Sequence, residues 1–260
     1  TATLNFTMNR GRLKSLPEDV SEVTVGQYGD IFNTAYVGES TTALSGKDYM
    51  RAPDGQVLID QSGYPLISPK KDTYIGNREP DCLLGLSSTF TWKDLSVGFL
   101  LDGRVGGDVA NVTGRGLLSN GMDARSAKYR NHKIIFKGVV EQPDGTYVPN
   151  TTPVILDSSV MNNYIFSVSK NFIEDGSYLR LSYVTLAYDF GNMMRKLGSR
   201  NPVKGLKLSF TARNLFLLTK YSGVDPQVMP GASNGAGAMG IDNYSVPSLR
   251  SYNINLNVSF

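Results

Sequence analysis

At the end of the chain, Tyr252, Ile254, Leu256, Val258 and Phe260 alternate without a break against Ser251, Asn253, Asn255, Asn257 and Ser259. Successive side chains of a β-strand point to opposite faces, so this run has one apolar face and one small polar face. Its length suits a tilted strand crossing a bilayer, which takes about 9–11 residues, and exceeds that of most soluble sandwich strands. Soluble antiparallel sheets also alternate, so the number and spacing of such runs must decide. Residues 1–8 set Leu4, Phe6 and Met8 against Thr3, Asn5 and Thr7. Over 83–92, Leu86, Phe90 and Trp92 oppose Ser87, Thr89 and Thr91. After Lys93-Asp94, residues 95–104 set Leu95, Val97, Phe99 and Leu101 against Ser96, Gly98, Asp102 and Arg104, and the two runs read as a hairpin. Over 204–218, Leu206, Leu208, Phe210 and Ala212 oppose Lys207, Ser209, Thr211 and Arg213.

The run at 178–190 changes parity. Leu179, Leu181 and Tyr183 fall on odd positions, whereas Val184, Leu186, Tyr188 and Phe190 fall on even ones. A β-bulge near Tyr183 restores one apolar face. Without it Arg180 shares the lipid face with Val184, where an arginine costs roughly 2–4 kcal/mol at the bilayer midplane. With it Arg180 points inward.

The connections alternate: 9–82 and 105–177 are very long, 219–248 is long, 93–94 is tight and 191–203 is moderately short. Long loops at one end and short ones at the other mark outer-membrane barrels. The expected fold class is therefore all-β, an antiparallel transmembrane β-barrel segment of about six membrane strands with long extracellular loops. Within the loops, 56–60 and 64–67 flank a Gln61-Ser62-Gly63 turn, and 133–140 and 146–149 flank Pro143-Asp144-Gly145. Both read as small hairpins outside the membrane, and 122–129 and 160–166 as short helices. Tyr252, Tyr188, Trp92 and Phe260 fall near strand ends, where amphipathic rings favour the membrane interface.

Composition removes several alternatives. The formal net charge is +3, with basic residues scattered along the chain, which argues against nucleic acid as a partner. A single cysteine, Cys82, permits no internal disulfide and no multi-cysteine metal site, and it reads as a small hydrophobe at a strand start. The one histidine, His132, sits beside Arg130 and Lys133 in a loop and reads as solvated, not as a triad base. Gly235 to Gly240 fits G-x-G-x-x-G, but the strand before and helix after that a dinucleotide site needs are missing, so it reads as a loop. Asn-x-Ser/Thr matches such as Asn257-Val-Ser259 lie partly in strands and carry no meaning. No catalytic constellation, cofactor site or metal site is expected. Thr1 leads directly into a strand, so either a leader has been removed or, as favoured here, the chain belongs to something longer.

Several segments, in order, resemble SusC/RagA-type TonB-dependent outer-membrane transporters of Bacteroidetes-like bacteria. They are Tyr74 to Pro80 (Tyr-Ile-Gly-Asn-Arg-Glu-Pro), Gly106-Gly-Asp108, and Asp175 to Tyr188 (Asp-Gly-Ser-Tyr-Leu-Arg-Leu-Ser-Tyr-Val-Thr-Leu-Ala-Tyr). Ala212 to Tyr221 (Ala-Arg-Asn-Leu-Phe-Leu-Leu-Thr-Lys-Tyr), Gly223-Val-Asp-Pro226 and the aromatic C-terminus complete the set. The resemblance spans nearly the whole chain. It implies a barrel of about twenty-two strands with an N-terminal plug in its lumen. Six strands cannot close such a barrel, so 1–260 is expected to be the C-terminal section, with the plug, the TonB-contacting segment and most of the wall lying elsewhere. The loop near Val57–Tyr64 lacks the dense Asp/Asn pattern of some relatives, having only Asp54 and Asp60 nearby, which argues against loop-bound calcium there.

The resemblance implies a nutrient importer of the outer membrane, taking up glycans or oligopeptides, capped by a SusD-like surface lipoprotein and driven by the TonB complex through the plug. No enzymatic role is expected. The rival readings are an autonomous small outer-membrane barrel, as an adhesin or enzyme, and a secreted carbohydrate-binding β-sandwich. Six strands are too few for the first, since the smallest bacterial barrels have about eight. Lipid-length strands and one-sided loops oppose the second.

The membrane-assembly signal is placed on Tyr252, Ile254, Leu256, Val258 and Phe260, because the terminal aromatic strand of such barrels is what the assembly machinery reads. Asp102, Arg104, Arg180 and Arg213 are the lumen-facing candidates, with Asp102 and Arg104 placed for a local pair; contact with the plug or with each other is favoured over contact with solute. The loop aromatics Tyr28, Phe32, Tyr36, Tyr164 and Phe166 suit either stacking on a solute or a lid, or packing within their own hairpins.

Overall fold

The computed structural model describes residues 1–196, 202–227 and 240–260. Six long strands form one sheet: β1 (Ala2–Thr7), β2 (Cys82–Trp92), β3 (Leu95–Val105), β4 (Tyr178–Asp189), β5 (Gly205–Thr219) and β6 (Ser251–Ser259). Every neighbouring pair is antiparallel and the spatial order follows the chain, an up-and-down meander with β1 and β6 at its two edges. The β2–β3 turn is only Lys93-Asp94, with Lys93 at φ +54°. The β4–β5 connection carries a short helix, Gly191–Lys196. Residues 8–81, 106–177 and 220–250 all leave from the opposite end, so the loop asymmetry expected from spacing is present.

The register gives the sheet two chemically distinct faces. Leu4, Leu86, Leu101, Leu181 and Phe216 lie across one another on one face, as do Val97, Leu186, Phe210 and Ile254 nearer the short turns. That face lies open: Leu4 is 71% and Ile254 74% exposed, a contiguous apolar surface of the kind that lipid covers. No second sheet packs on it among the described residues, unlike the layered core of a sandwich. On the other face Thr211 pairs with both Thr185 and Asn253, and Ser209 with Ala187 and Asn255.

The bulge falls at Ser182, between Leu181 and Tyr183. Leu181 lies opposite Leu101 and Val184 opposite Phe99, so the apolar face continues through it, and Arg180 stays opposite Asp102 on the polar face. β5 compensates with an irregularity of its own at Asn214, whose φ of +52° is a left-handed conformation that asparagine tolerates better than most residues. Its side-chain amide donates to the Leu249 carbonyl at 2.9 Å.

The packed interior lies in the loops, because a single sheet with two open faces has none of its own. Glu22–Tyr28, Ile31–Tyr36, Ala43–Gly46 and Thr73–Asn77 form a four-stranded antiparallel sheet. Asp108–Asn111 pairs with Ile173–Asp175 and, in parallel, with Ile241–Asp242. Between these sheets Ile31, Leu44, Ile75, Ala110 and Ile241 form a fully buried core. The three long loops thus fold into one body at one end of the wall.

The loop hairpins differ in detail from the sequence reading. Residues 56–67 turn back through an isolated Ile59–Pro65 bridge, not a ladder. Val139–Glu141 pairs with Tyr147–Pro149 as expected, but Lys133–Ile134 pairs with Val154–Ile155 instead. Leu58–Ile59 adds in parallel to Val139–Val140, joining the two hairpins. The helix expected over 122–129 shortens to Arg125–Lys128, while that over 160–166 begins at Ser158 and passes into a π-turn over Asn162–Phe166. The eight-residue helix Val112–Ser119 was unforeseen: Asn111 caps it, accepting the Gly114 N–H at 2.6 Å. Residues 235–239 of the glycine motif lie outside the described residues.

Candidate functional site

The polar face of the wall and the underside of the loop body form the candidate site. Arg180 projects from β4 into a buried cluster at the base of the last long loop. Its Nη2 lies 2.6 Å from Asp225 Oδ1, with both side chains nearly sealed from solvent. Its Nη1 donates to Ser248 Oγ at 3.0 Å, and that hydroxyl donates to Asp225 Oδ2 at 2.6 Å. The Gln227 N–H adds a third hydrogen bond to Asp225, and Gln227 also reaches the Tyr178 hydroxyl. Burial alone would raise the Asp225 carboxyl, but the Ser248 and Gln227 hydrogen bonds and the Arg180 charge outweigh it and hold the group below the usual carboxylate range. Arg180 thus pins the loop to the wall.

Arg104 and Asp102 share the polar face, but the local pair expected between them does not form. Arg104 turns toward the loops, giving Nε to the Gly106 carbonyl at 3.1 Å and Nη2 to the Arg78 carbonyl at 2.8 Å. Asp102 accepts from Ser182, the bulge residue. The turn at the end of β3 explains this: Gly106 and Gly107, at φ +71° and +78°, reverse the chain, and Asp108 Oδ2 then accepts the Asn77 N–H at 2.8 Å. Arg213 lies over the Tyr183 ring, 5.9 Å from its centroid.

A second polar network lies farther into the loops. Tyr221 donates to Asp242 Oδ2 at 2.6 Å, and Thr113 donates to Asp242 Oδ1 at 2.9 Å. Burial first, then the Asp242 carboxylate, push the Tyr221 phenol above its ordinary value. Glu174 Oε1 accepts from Asn111 at 2.9 Å and from the Ser222 hydroxyl at 2.7 Å. None of Asp225, Tyr221, Asp242 and Glu174 was singled out from sequence, although Asp225 lies in the Gly223–Pro226 motif and Arg180 in the β4 motif, whose meeting gives both segments a common structural purpose.

The five loop aromatics are all half-buried. Tyr28 packs on the loop core, and Tyr36 meets Tyr74 edge-on while donating to the Asp72 carbonyl. Tyr164 stacks on Tyr64 at 4.8 Å, and with Phe166 covers the Leu156, Val160 and Met161 cluster. Phe32 lies in the strand Ile31–Tyr36. Phe166 and Phe172, tilted at 6.4 Å, also line a mostly apolar cavity of about 260 Å³. A larger cavity of about 620 Å³ opens on the polar face where β2, β3 and β4 meet the loops. The terminal strand offers Tyr252, Ile254, Leu256 and Phe260 outward, Phe260 at 84% exposure, with Val258 beside them.

Comparison with known proteins fits this arrangement. A TonB-dependent receptor of Formosa agariphila is 23% identical over 241 residues, covering 90% of this chain and 21% of its own length. The TonB-dependent receptor SusC of Bacteroides thetaiotaomicron is 26% identical over 220 residues, covering 81% of this chain and 18% of its own length. The solved structure of the RagAB peptide transporter superposes over 100% of this chain with a TM-score of 0.61 at 20% identity, using 27% of its chain. The chain is of the SusC/RagA type. No family model matches it. The SusC/RagA-type sheet described above matches part of the larger barrel of those structures, and the chain spans about a fifth to a quarter of the relatives' length.

Proposed function

We propose that this chain forms the C-terminal wall and extracellular loop section of a TonB-dependent importer in the outer membrane of a Bacteroidetes-like bacterium. The observation that carries this reading is the pairing of a six-stranded meander, apolar on one face and polar on the other, with three long loops that fold into a single body at one end. The apolar face meets lipid, the polar face with Asp102, Arg104, Arg180 and Arg213 meets the lumen, and the loop body roofs it. The imported solute is a glycan or an oligopeptide: of the similar proteins, RagAB is named as a peptide transporter, and the glycan alternative comes from the resemblance read in the sequence. A SusD-like surface lipoprotein closes over the loops, and the TonB complex drives uptake through a plug outside residues 1–260. The part assigned to these residues is shape, hydrogen bonding and docking, not covalent chemistry.

Gene deletion tests this. A deletion strain grown on panels of single glycans and peptide mixtures should lose growth on one class of solute. The intact gene should restore it, and a version lacking 251–260 should not. Undiminished growth on every solute overturns the importer reading.

A further inference from the structure

The short-turn end of the wall carries a cavity of about 350 Å³, within the size range of small-ligand sites. Register puts it at the border of the apolar face. Tyr188, which lines it, lies opposite Leu95 on β3 and Leu208 on β5, and Trp92 faces Leu95 from β2. Trp92 is 60% and Tyr188 42% exposed, so the apolar face ends at this level in aromatic rings, the arrangement that marks a membrane–water interface. Phe190 packs on Tyr188 with ring centroids 4.6 Å apart, and the exposed Met193 of the helix Gly191–Lys196 shares the lining with them.

The polar part of the lining holds charges of both signs. The Asp189 N–H donates to the Asp94 carbonyl at 2.8 Å, which sets these two residues side by side where the β2–β3 and β4–β5 connections meet. Their carboxylates accept from neutral donors: Asn192 Nδ2 reaches Asp94 at 2.5 Å, and the Gly191 N–H reaches Asp189 at 2.8 Å. These bonds orient the carboxylates and leave both charges in place. Lys196, in the same lining, ends the helix about 7 Å along its axis from Gly191. None of Asp94, Asp189 and Lys196 belongs to an ion pair among the described residues, and Lys207, across from Asp189 on β5, forms none with it. The other cations nearby are engaged elsewhere: Lys93 lies over the Trp92 ring, and Arg195 donates to Asn192.

A ligand matched to this cavity carries a cation and an anion a short distance apart, with an apolar part that continues over Tyr188 onto the apolar face. An ammonium group with N–H donors suits the two carboxylates, and a phosphate suits the lysine. We propose that the cavity holds the headgroup of a phosphoethanolamine phospholipid, its ammonium on Asp94 and Asp189, its phosphate on Lys196 and its acyl chains along the apolar face. A trimethylated headgroup has no N–H to donate, and an anionic headgroup without an amine meets two carboxylates. The proposal rests on the membrane reading of the wall and adds a lipid site to it.

The test uses the full-length receptor purified from outer membranes in detergent and washed free of lipid. Native mass spectrometry counts the lipid it takes up from micelles containing phosphatidylethanolamine, phosphatidylcholine or phosphatidylglycerol with the same acyl chains. Phosphatidylethanolamine should bind about tenfold or more tightly than either of the others, as expected for a charge-assisted contact. Asp94→Asn combined with Asp189→Asn should bring it down to the level of phosphatidylcholine. Lys196→Gln should weaken both of these lipids alike, because both carry the phosphate, whereas Lys93→Gln, outside the cavity, should leave the preference unchanged. Each variant is first shown to keep the heat-modifiable folded band of the wild type. Equal uptake of the three lipids overturns the proposal, as does a preference that survives the double aspartate variant. A receptor that resists extraction by alkaline carbonate yet shows no lipid preference rejects the cavity assignment alone, whereas one that carbonate releases without detergent rejects the membrane reading as well.

Discussion

At the scale of single residues, the Arg180–Asp225 pair and the Gly106-Gly107 turn carry the sharpest consequences. Removing one partner of a buried ion pair leaves the other charge uncompensated and costs about 3–5 kcal/mol. Asp225→Asn should therefore lower the thermal midpoint of the full-length receptor and speed chymotrypsin cleavage within 220–250. The pH dependence has a definite sign. Asp225 is held below its unfolded value, so its stabilisation is complete above about pH 4 and is lost as pH falls through the lowered folded value. The gap in midpoint between wild type and Asp225→Asn should narrow on acidification, and a constant gap would count against the pair. At Gly107 a Cβ would stand 2.7 Å from the Arg78 carbonyl oxygen on a backbone already at φ +78°. Gly107→Ala should destabilise by more than about 1 kcal/mol in the same unfolding measurement.

At the scale of elements, the facing of β6 is directly testable. Ile254 and Asn255 are sequence neighbours on opposite faces, Ile254 opposite Phe210 and Asn255 opposite Ser209. Ile254→Arg puts a charge toward lipid and should cost roughly 2–4 kcal/mol if it lies near the midplane, whereas Asn255→Arg should be close to neutral. Urea titration of the full-length receptor folded into liposomes separates the two, and equal costs would contradict the assignment of faces. The same parity argument made the β4 bulge legible from sequence, because Arg180 and Val184 cannot share an apolar face cheaply. The compensating irregularity at Asn214 was not legible, since it changes no residue's face: Ala212 and Phe216 remain on the apolar side.

At the scale of the molecule, the wall and the loop body are stabilised differently. The wall is a hydrogen-bonded sheet with an exposed apolar face and with β1 and β6 at its edges, whereas the loop body has its own buried core. Strand β6 is where assembly is expected to begin, and Phe260 is its most exposed aromatic. Phe260→Ser should lower the amount of full-length receptor in the outer-membrane fraction, measured by immunoblot against a 242–260 peptide. An unchanged yield would remove the terminal strand from assembly.

The alternation of apolar and polar positions determined by itself the six wall strands, their two faces, the parity break on β4 and the placing of the long loops at one end. These follow from a local property of extended backbone, two residues per repeat, that needs no knowledge of the rest of the chain. Only the tertiary structure decided what the polar residues do. Arg180 meets Asp225 across 45 residues, and Arg104 turns away from Asp102 because two left-handed glycines carry the chain toward Arg78. The loop sheets, built from strands of two to seven residues, are too short to show a period, and their pairing depends on which hydrophobic groups close over Ile31, Leu44 and Ile75. Periodicity fixes a face, but partnership across long sequence separations is settled only by packing.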